Sequence, residues 1–251
     1  MRIISVITPV YDGGDAYLLE TYESVRAERE HLPEGWDLQW LVQEDGTTGK
    51  PLNRLPKEPW ISPGMGSRSG AGAARTLALS RATGELVRAL DADDLVTEGT
   101  LTREILAMEE HPTAGWSVSA GLDLLPDGST VAGPYDPPEG PLTYETLLAA
   151  YDEDRFPILA QHLTVRTPLL LAVGAWPPVA AWETIAVALM CAAVSDGWMI
   201  ATPGGYYRKH SAQATAQADY EETVGVDQLR VIVRAQAEAL HATGWRWTAE
   251  E

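Results

Sequence analysis

The sequence is short of three things: cysteine, positive charge and long apolar runs. One cysteine, Cys191, stands among 251 residues. A lone thiol excludes an internal disulfide framework and fits a reducing compartment. Cys191 lies in an apolar, helix-like run and reads as a core filler, not a nucleophile. Eighteen Lys and Arg face 36 Asp and Glu, a formal net charge of -18. That balance opposes a phosphate backbone and an anionic bilayer surface, so nucleic-acid binding and docking on a membrane are disfavoured. A small phosphate ligand stays open, because a single cation can neutralise it locally. No stretch approaches the ~20 apolar residues of a membrane helix. The opening Met1-Arg2-Ile3-Ile4-Ser5-Val6-Ile7 is too short, and lacks the small-residue cleavage site, for a secretory signal. The expectation is a cytoplasmic protein without a membrane span.

What is present is an ordinary globular composition, 45% hydrophobic and 22% charged, in a length that suits one large domain with or without a tail. Ile3 to Thr8 reads as a buried strand stopped by Pro9, followed by a loop in which Asp15 is placed to cap a helix running to about Glu30. Leu18, Tyr22 and Val25 fall on one face of that helix. Pro33-Glu34-Gly35 turns the chain into a second strand, Trp36 to Val42, which delivers Gln43-Glu44-Asp45-Gly46 to a loop. Strand, helix, strand opens a parallel α/β layout with right-handed crossovers. Residues 49 to 70, rich in Pro, Gly and Ser, read as a mobile loop. Gly64, Gly66, Gly70 and Gly72 have the wrong spacing for a dinucleotide fingerprint.

A helix begins at Gly70 or Gly72 and carries Arg75 in its first turns, where a cation opposes the helix dipole. An anionic ligand or a nearby acid would explain it equally well. Glu85 to Leu90 is a buried strand, and Asp91-Ala92-Asp93-Asp94 follows directly. Ligands of open α/β sheets sit beyond strand carboxyl ends. Two acids separated by one residue there can hold a hard divalent cation; alternatively they cap the next helix, Thr97 to Glu110. Beyond it come a strand at Ala114 to Ala120 and a hairpin edge at Asp123 to Gly128.

The proline-rich stretch Gly133 to Pro141 cannot be regular structure, and it separates two halves, about 1–132 and 133–220, of one domain. The second half offers a strand near Leu159 to Val165, the stretch Thr167 to Val173, the turn Gly174-Ala175-Trp176, and an apolar helix from Trp182 to Val194. Glu183 stands in that helix's first turn, where an acid ordinarily compensates the dipole. A short strand at Trp198 to Ala201 leads to Tyr206-Tyr207-Arg208-Lys209-His210, then to a polar stretch, Ser211 to Asp219. Residues 221–251 form a C-terminal helix to about His241, with Leu229, Ile232, Val233 and Leu240 on one side, and a tail whose Trp245 and Trp247 either pack back or mark an interface. A homodimer through this helix is one reading of that tail.

In this order the motifs resemble the family 2 glycosyltransferases of GT-A fold, over roughly residues 3 to 215. Thr8-Pro9-Val10-Tyr11-Asp12 is similar to the family's Pro-Val-Tyr-Asn start, which borders the nucleoside base. Gln43-Glu44-Asp45-Gly46-Thr47 resembles its Asp-Asp-Gly-Ser segment, where an acid recognises the base. Gly72-Ala73-Ala74-Arg75-Thr76 resembles its Ala-Arg-Asn segment and puts Arg75 near the nucleotide. Leu90-Asp91-Ala92-Asp93-Asp94 matches its metal motif. Gly174-Ala175-Trp176 resembles its Gly-Gly-Phe turn, near donor sugar and acceptor. Tyr206-Tyr207-Arg208-Lys209-His210 resembles its Tyr-x-Arg-x-His close, whose His can reach the metal.

The resemblance implies a Rossmann-like, mostly parallel central sheet flanked by helices, with a smaller acceptor-side part and the C-terminal helix. It implies one Mn²⁺ or Mg²⁺ on Asp91, Asp93 and His210. Nucleotide contacts fall to Pro9, Val10, Tyr11, Asp12, Glu44, Asp45, Arg75, Asp91 and Ala92. Sugar or acceptor contacts fall to Asp94, Gly174, Ala175, Trp176, Trp182 and Arg208. The family's acceptor helix starts with Glu-Asp, the Asp being the catalytic base; here Trp182-Glu183 stands in its place, which makes Glu183 the nearest candidate. The implied reaction is inverting transfer from a nucleotide diphosphate sugar, uridine diphosphate by default, to a hydroxyl or amine of a small-molecule or glycan acceptor. The membrane helices of the family's processive synthases are missing, so the chain looks like the short type acting on a discrete acceptor. Two rivals are a non-catalytic GT-A-like nucleotide-sugar-binding protein and a sugar nucleotidylyltransferase. The latter needs basic residues soon after the first strand, where Val10-Tyr11-Asp12-Gly13-Gly14 has none.

Overall fold

The computed structural model describes residues 1–249. Alternation of side chains splits the first strand, β1 (Arg2–Val10), between two cores. Ile4 and Val6 face one core, shared with Leu38, Trp40 and Val42 of β2 (Trp36–Asp45), with α1 (Leu18–Glu30) and with α3 (Thr100–Glu110). Ile7 faces the other, shared with Leu41, with α2 (Ala71–Leu79) and with α6 (Glu183–Val194). Helices thus cover both faces of one sheet, as a parallel sheet requires.

The remaining strands are β3 (Ile61–Gly66), β4 (Leu86–Ala89), β5 (Leu95–Val96), β6 (Trp116–Leu124), β7 (Thr130–Ala132), β8 (Gly140–Leu142), β9 (Leu163–Arg166) and β10 (Gly197–Arg208). The sheet runs β3-β2-β1-β4-β9-β6-β10-β5, with β7 on β6 and β8 on β10. The first four in that order are mutually parallel, and β10 is parallel to β6. Between them β9 is antiparallel to both β4 and β6. The second half of the chain therefore supplies a central strand and shares one sheet with the first half.

In α6 every residue from Ala186 to Val194 is buried, because α4 (Tyr144–Asp152) and α8 (Val226–Ala242) cover the face turned away from the sheet, and the short helix α5 (Thr167–Ala172) also packs on it. Cys191 is among them, as its apolar setting predicts. Among the described residues no helix is long and apolar enough to cross a membrane.

β1 continues through Pro9: alternation turns that residue to the side of Ile7, whose carbonyl accepts from Leu90 N just as β4 ends, so the absent N–H breaks no ladder. Residues 49–70 are not a loop throughout. They include a short 3-10 turn at Leu52–Arg54 and the edge strand β3, parallel to β2. Asp15 does not cap α1 but pairs with Arg54 at 2.7 Å. Gly140–Leu142 of the proline-rich stretch joins β10 antiparallel as β8. The single C-terminal helix is two, α7 (Tyr220–Val224) and α8, separated by Gly225 in the left-handed region (φ 67°). On α8 Val233 and Ala237 are buried, while Ile232 points outward. Trp247 packs back, its backbone N donating to Val194 O at 2.8 Å, and Trp245 stays exposed.

Candidate active site

The carboxyl ends of β1, β2 and β4 lie at one edge of the sheet and deliver Val10, Asp45 and the segment Leu90 to Asp94 there. Strand β5 folds the chain back against β10, pairing Leu95 with Tyr206 and Val96 with Gly205, so β10 returns to the acids at Arg208. Arg208 closes this junction: its backbone N donates to Asp94 Oδ1 (2.9 Å) and its Nε to Asp93 O (2.8 Å). Its guanidinium lies 4.1 Å from the Tyr17 ring and pairs with Glu20 at 2.7 Å. His210 Nε2 is 2.9 Å from Asp93 Oδ2, and its ring is 5.1 Å from that of Tyr17.

The three acids differ in burial. Asp91 and Asp93 are about one-third open to solvent, while Asp94 is sealed. Burial, then the charges of Asp91 and Asp93, push the Asp94 carboxyl well above the usual range. Its Oδ2 has no donor among the described residues. Burial and Asp91 also raise Asp93, against the opposing pull of His210. Asp94 thus ties the acid-bearing turn to β10.

Arg75 is fully enclosed between two carboxylates. Its Nη1 donates to Glu183 Oε1 at 2.6 Å and its Nη2 to Asp91 Oδ1, while Nε has no acceptor among the described residues. The nearby acid, one of the two readings of this cation, is therefore present twice. Gly72, one turn earlier, lets α2 touch the segment before α6: a Cβ there would stand 2.3 Å from Pro177 O and 3.1 Å from Glu183 Cβ. Thr76 and Trp176 hold the same junction, the hydroxyl donating to Trp176 O (2.8 Å) and accepting from Trp176 N (3.1 Å).

The loop acids are already engaged. Glu44 is buried, and its two oxygens accept from Thr48 N, Thr48 Oγ1 and Gly49 N at 2.7–2.9 Å. Asp45 accepts from Ser69 N and Gly70 N, fastening β2 to the start of α2. Asp12 pairs with Lys50 at 2.8 Å, and Tyr11 is open to solvent with Arg68 5.6 Å from its ring. Pro9 and Val10 complete β1, and Ala92 is buried beneath the acids.

On the acceptor side Gly174 (φ 90°) and Ala175 (φ 59°) make a left-handed turn, and Ala175 and Trp176 are buried. Trp182 (φ 66°) precedes Glu183, half-buried against Tyr151 at 5.7 Å. Two cavities open nearby. One, of about 320 Å³, lies beside Arg208, Lys209 and His210, with Tyr17 and Pro126 in its wall. The other, of about 650 Å³, is lined by Asp219, Tyr220 and Glu221 among others. The Tyr220 phenol in its wall is raised by burial and then by the charge of Glu183.

Sequence reasoning missed Tyr17 and Glu20. Their i,i+3 spacing at the head of α1 was the available signal, since it sets both on the face that Arg208 meets.

Among the described residues no three of His, Cys, Asp and Glu converge so as to hold an ion. Asp91 and Asp93 still fit one. Hard divalent cations such as Mg²⁺ are held by one or two carboxylates together with ligand phosphates, and each acid keeps one oxygen free, Arg75 engaging only Oδ1 of Asp91 and His210 only Oδ2 of Asp93.

Residues 5–124 match the family described as glycosyl transferase family 2. The fold is similar to that of S. aureus TarS 1–349 in complex with UDP-GlcNAc, with a TM-score of 0.71 and 20% identity, covering 97% of this chain and 71% of that one. It is likewise similar to S. aureus TarS 1–349 in complex with UDP, with a TM-score of 0.66 and 19% identity, covering 97% and 70%. At such identities the likeness shows the fold, here GT-A. No curated protein matches the sequence.

Proposed function

We propose that this chain, a glycosyltransferase of family 2 over residues 5–124 and of GT-A fold throughout, moves a sugar from a nucleotide diphosphate sugar to a hydroxyl or amine of a small-molecule or glycan acceptor, with inversion. A uridine diphosphate donor is favoured, in keeping with the UDP-GlcNAc and UDP held by the two TarS structures. The observation that carries the reading is the convergence of Glu183, from the acceptor-side half, with Asp91, from the nucleotide half, on one buried guanidinium.

Asp91 and Asp93, with His210 beside Asp93, are the residues that would hold Mn²⁺ or Mg²⁺, which when bound offsets the charge growing on the departing diphosphate. Glu183 Oε2, free of donors among the described residues, takes the acceptor's proton. The acceptor oxygen or nitrogen then bonds to the anomeric carbon as the bond from that carbon to the phosphate oxygen breaks, and its electron pair leaves with the diphosphate. A base on the face opposite the leaving group makes a single displacement invert. Arg208 keeps β10 against Asp93 and Asp94, so the acid-bearing turn does not open as the donor binds.

Calorimetric titration with uridine, thymidine and guanosine diphosphates, with and without Mn²⁺, tests the donor half of this reading. Uridine diphosphate binds in a metal-dependent way that Asp93→Ala abolishes. Glu183→Gln still binds the nucleotide, but its turnover falls by roughly 10²–10⁴-fold. Absence of binding by all three nucleotides refutes the donor site, and near-normal turnover of Glu183→Gln refutes the base.

A further inference from the structure

We infer that Arg75 is a positioning residue, which aims Glu183 at the acceptor and couples it to the donor-side Asp91, and that it does not itself bind the donor phosphates. The inference rests on the reading of Glu183 as the base. Arg75 is 2% exposed, and both of its Nη arms are committed to carboxylates carrying two negative charges against its one. A diphosphate could reach it only by displacing one of them.

The manner of engagement suits positioning. Each arm takes a single oxygen, Oε1 of Glu183 and Oδ1 of Asp91. The second oxygen of each acid has no donor among the described residues and stays available, one to an acceptor proton and the other to the donor site. A planar guanidinium can hold two carboxylates at a fixed angle, whereas a lysine ammonium is a point charge without that fork. Stability alone is a poor explanation, because replacing a buried ion pair with apolar groups is often neutral or better. The surroundings support the same role. Gly72 removes the side chain that would push α2 away from Glu183, and the reciprocal Thr76–Trp176 hydrogen bonds fix the segment leading to it.

Such a bridge makes the two halves of the site sense each other. Removing the Glu183 charge lets Arg75 draw more strongly on Asp91, and this is felt by a nucleotide that Glu183 never touches. Two measurements test this. In the first, Arg75→Lys lowers kcat ~10²-fold, leaves the Kd for uridine diphosphate with Mn²⁺ within ~3-fold, and in a Glu183→Gln background costs less than ~3-fold further, since residues acting as a unit lose additivity. The second does not disturb the buried cation and so stands if Arg75→Lys fails to fold. In it, Glu183→Gln alone weakens uridine diphosphate binding in the presence of Mn²⁺ roughly 3–10-fold, as expected of coupled neighbours.

A nucleotide affinity that falls with Arg75→Lys while kcat holds makes Arg75 a phosphate ligand and overturns the inference. So do additive losses in kcat, or a uridine diphosphate affinity indifferent to Glu183→Gln. If Glu183→Gln keeps normal turnover, the base assignment falls first and the inference with it. Those outcomes separate the failure of the coupling from the failure of the proposed function.

Discussion

Arg88 and Glu104 form an ion pair sealed from water, Nε to Oε2 at 3.0 Å, three residues ahead of Asp91. Glu104 also accepts from Ser119 Oγ (2.8 Å) and Thr164 Oγ1 (2.7 Å), and Arg88 donates to Ala89 O (3.0 Å) and Gly204 O (3.1 Å). One pair thus ties α3 to β4, β6, β9 and β10. Glu104→Leu strands a buried guanidinium, which costs about 3–5 kcal/mol, a large part of the ~5–15 kcal/mol that holds a domain folded. Glu104→Gln keeps the shape and an acceptor for the hydroxyls but loses the charge, so its cost is about 1.5–3 kcal/mol. In Arg88→Met/Glu104→Leu neither charge is left alone, and the double variant is more stable than Glu104→Leu by at least ~2 kcal/mol. Urea unfolding at constant m-value reads all three, together with Arg88→Met alone. The reasoning fails if Glu104→Leu unfolds within ~1 kcal/mol of wild type, or if the double variant loses the sum of the two single losses.

His162 carries a pH signature. Burial, and then the charge of Arg88, lower its pKa from 6.5 to about 3, so the folded protein keeps the ring neutral where the unfolded chain protonates it. The unfolded state therefore binds the extra proton between these values, and stability drops as pH falls below 6.5. From pH 6.5 to 5 wild type loses about 2 kcal/mol more than His162→Asn, and parallel pH profiles would refute the assignment. Gly72→Ala tests the fit between α2 and the acceptor side. Alanine in a helix ordinarily gains ~1 kcal/mol over glycine. Here its Cβ meets the Pro177 carbonyl oxygen at 2.3 Å, so the variant is instead destabilised by about 1–3 kcal/mol, with kcat lowered as Glu183 shifts; a gain in stability would show that the segment yields freely.

The acids were legible because their signal is local. A buried apolar run ending in Asp-Ala-Asp-Asp identifies a strand and its carboxyl end together, and β4 with Asp91, Asp93 and Asp94 stands as that pattern implies. Edge strand β3 was not legible, because Pro63, Gly64 and Gly66 are poor strand formers, and of the alternating apolar residues Ile61, Pro63 and Met65 only Ile61 is buried; its pairing with β2 makes it a strand. Pro9 misled for a related reason, since a proline ends a strand only where a neighbour needs its N–H. What Glu44 and Asp45 do was out of reach. Both fall at a strand end, as an acid reading a base would, yet the donors they serve are backbone amides of a turn and of a helix start. Spacing places a carboxylate at a strand end but says nothing of the backbone donors that the following turn brings to it.

The Trp182-Glu183 departure is the place where the two levels meet. Among the described residues only Asp154, Ala175 and Trp182 hold positive φ without being glycine, and two of these bracket the approach to Glu183. A left-handed residue with a bulky side chain costs about 1–2 kcal/mol and persists only where packing fixes it. For Trp182 that packing is the edge of Tyr151 and the guanidinium of Arg230, 5.6 Å from the indole ring. The backbone turn at Trp182 sets where α6 begins, Gly72 sets how near α2 can come, and Arg75 takes hold of Glu183 Oε1. Three separate elements thus converge on one carboxylate. A glutamate that merely balanced the dipole of α6 would need none of them, because an acid in a first turn does that work in water.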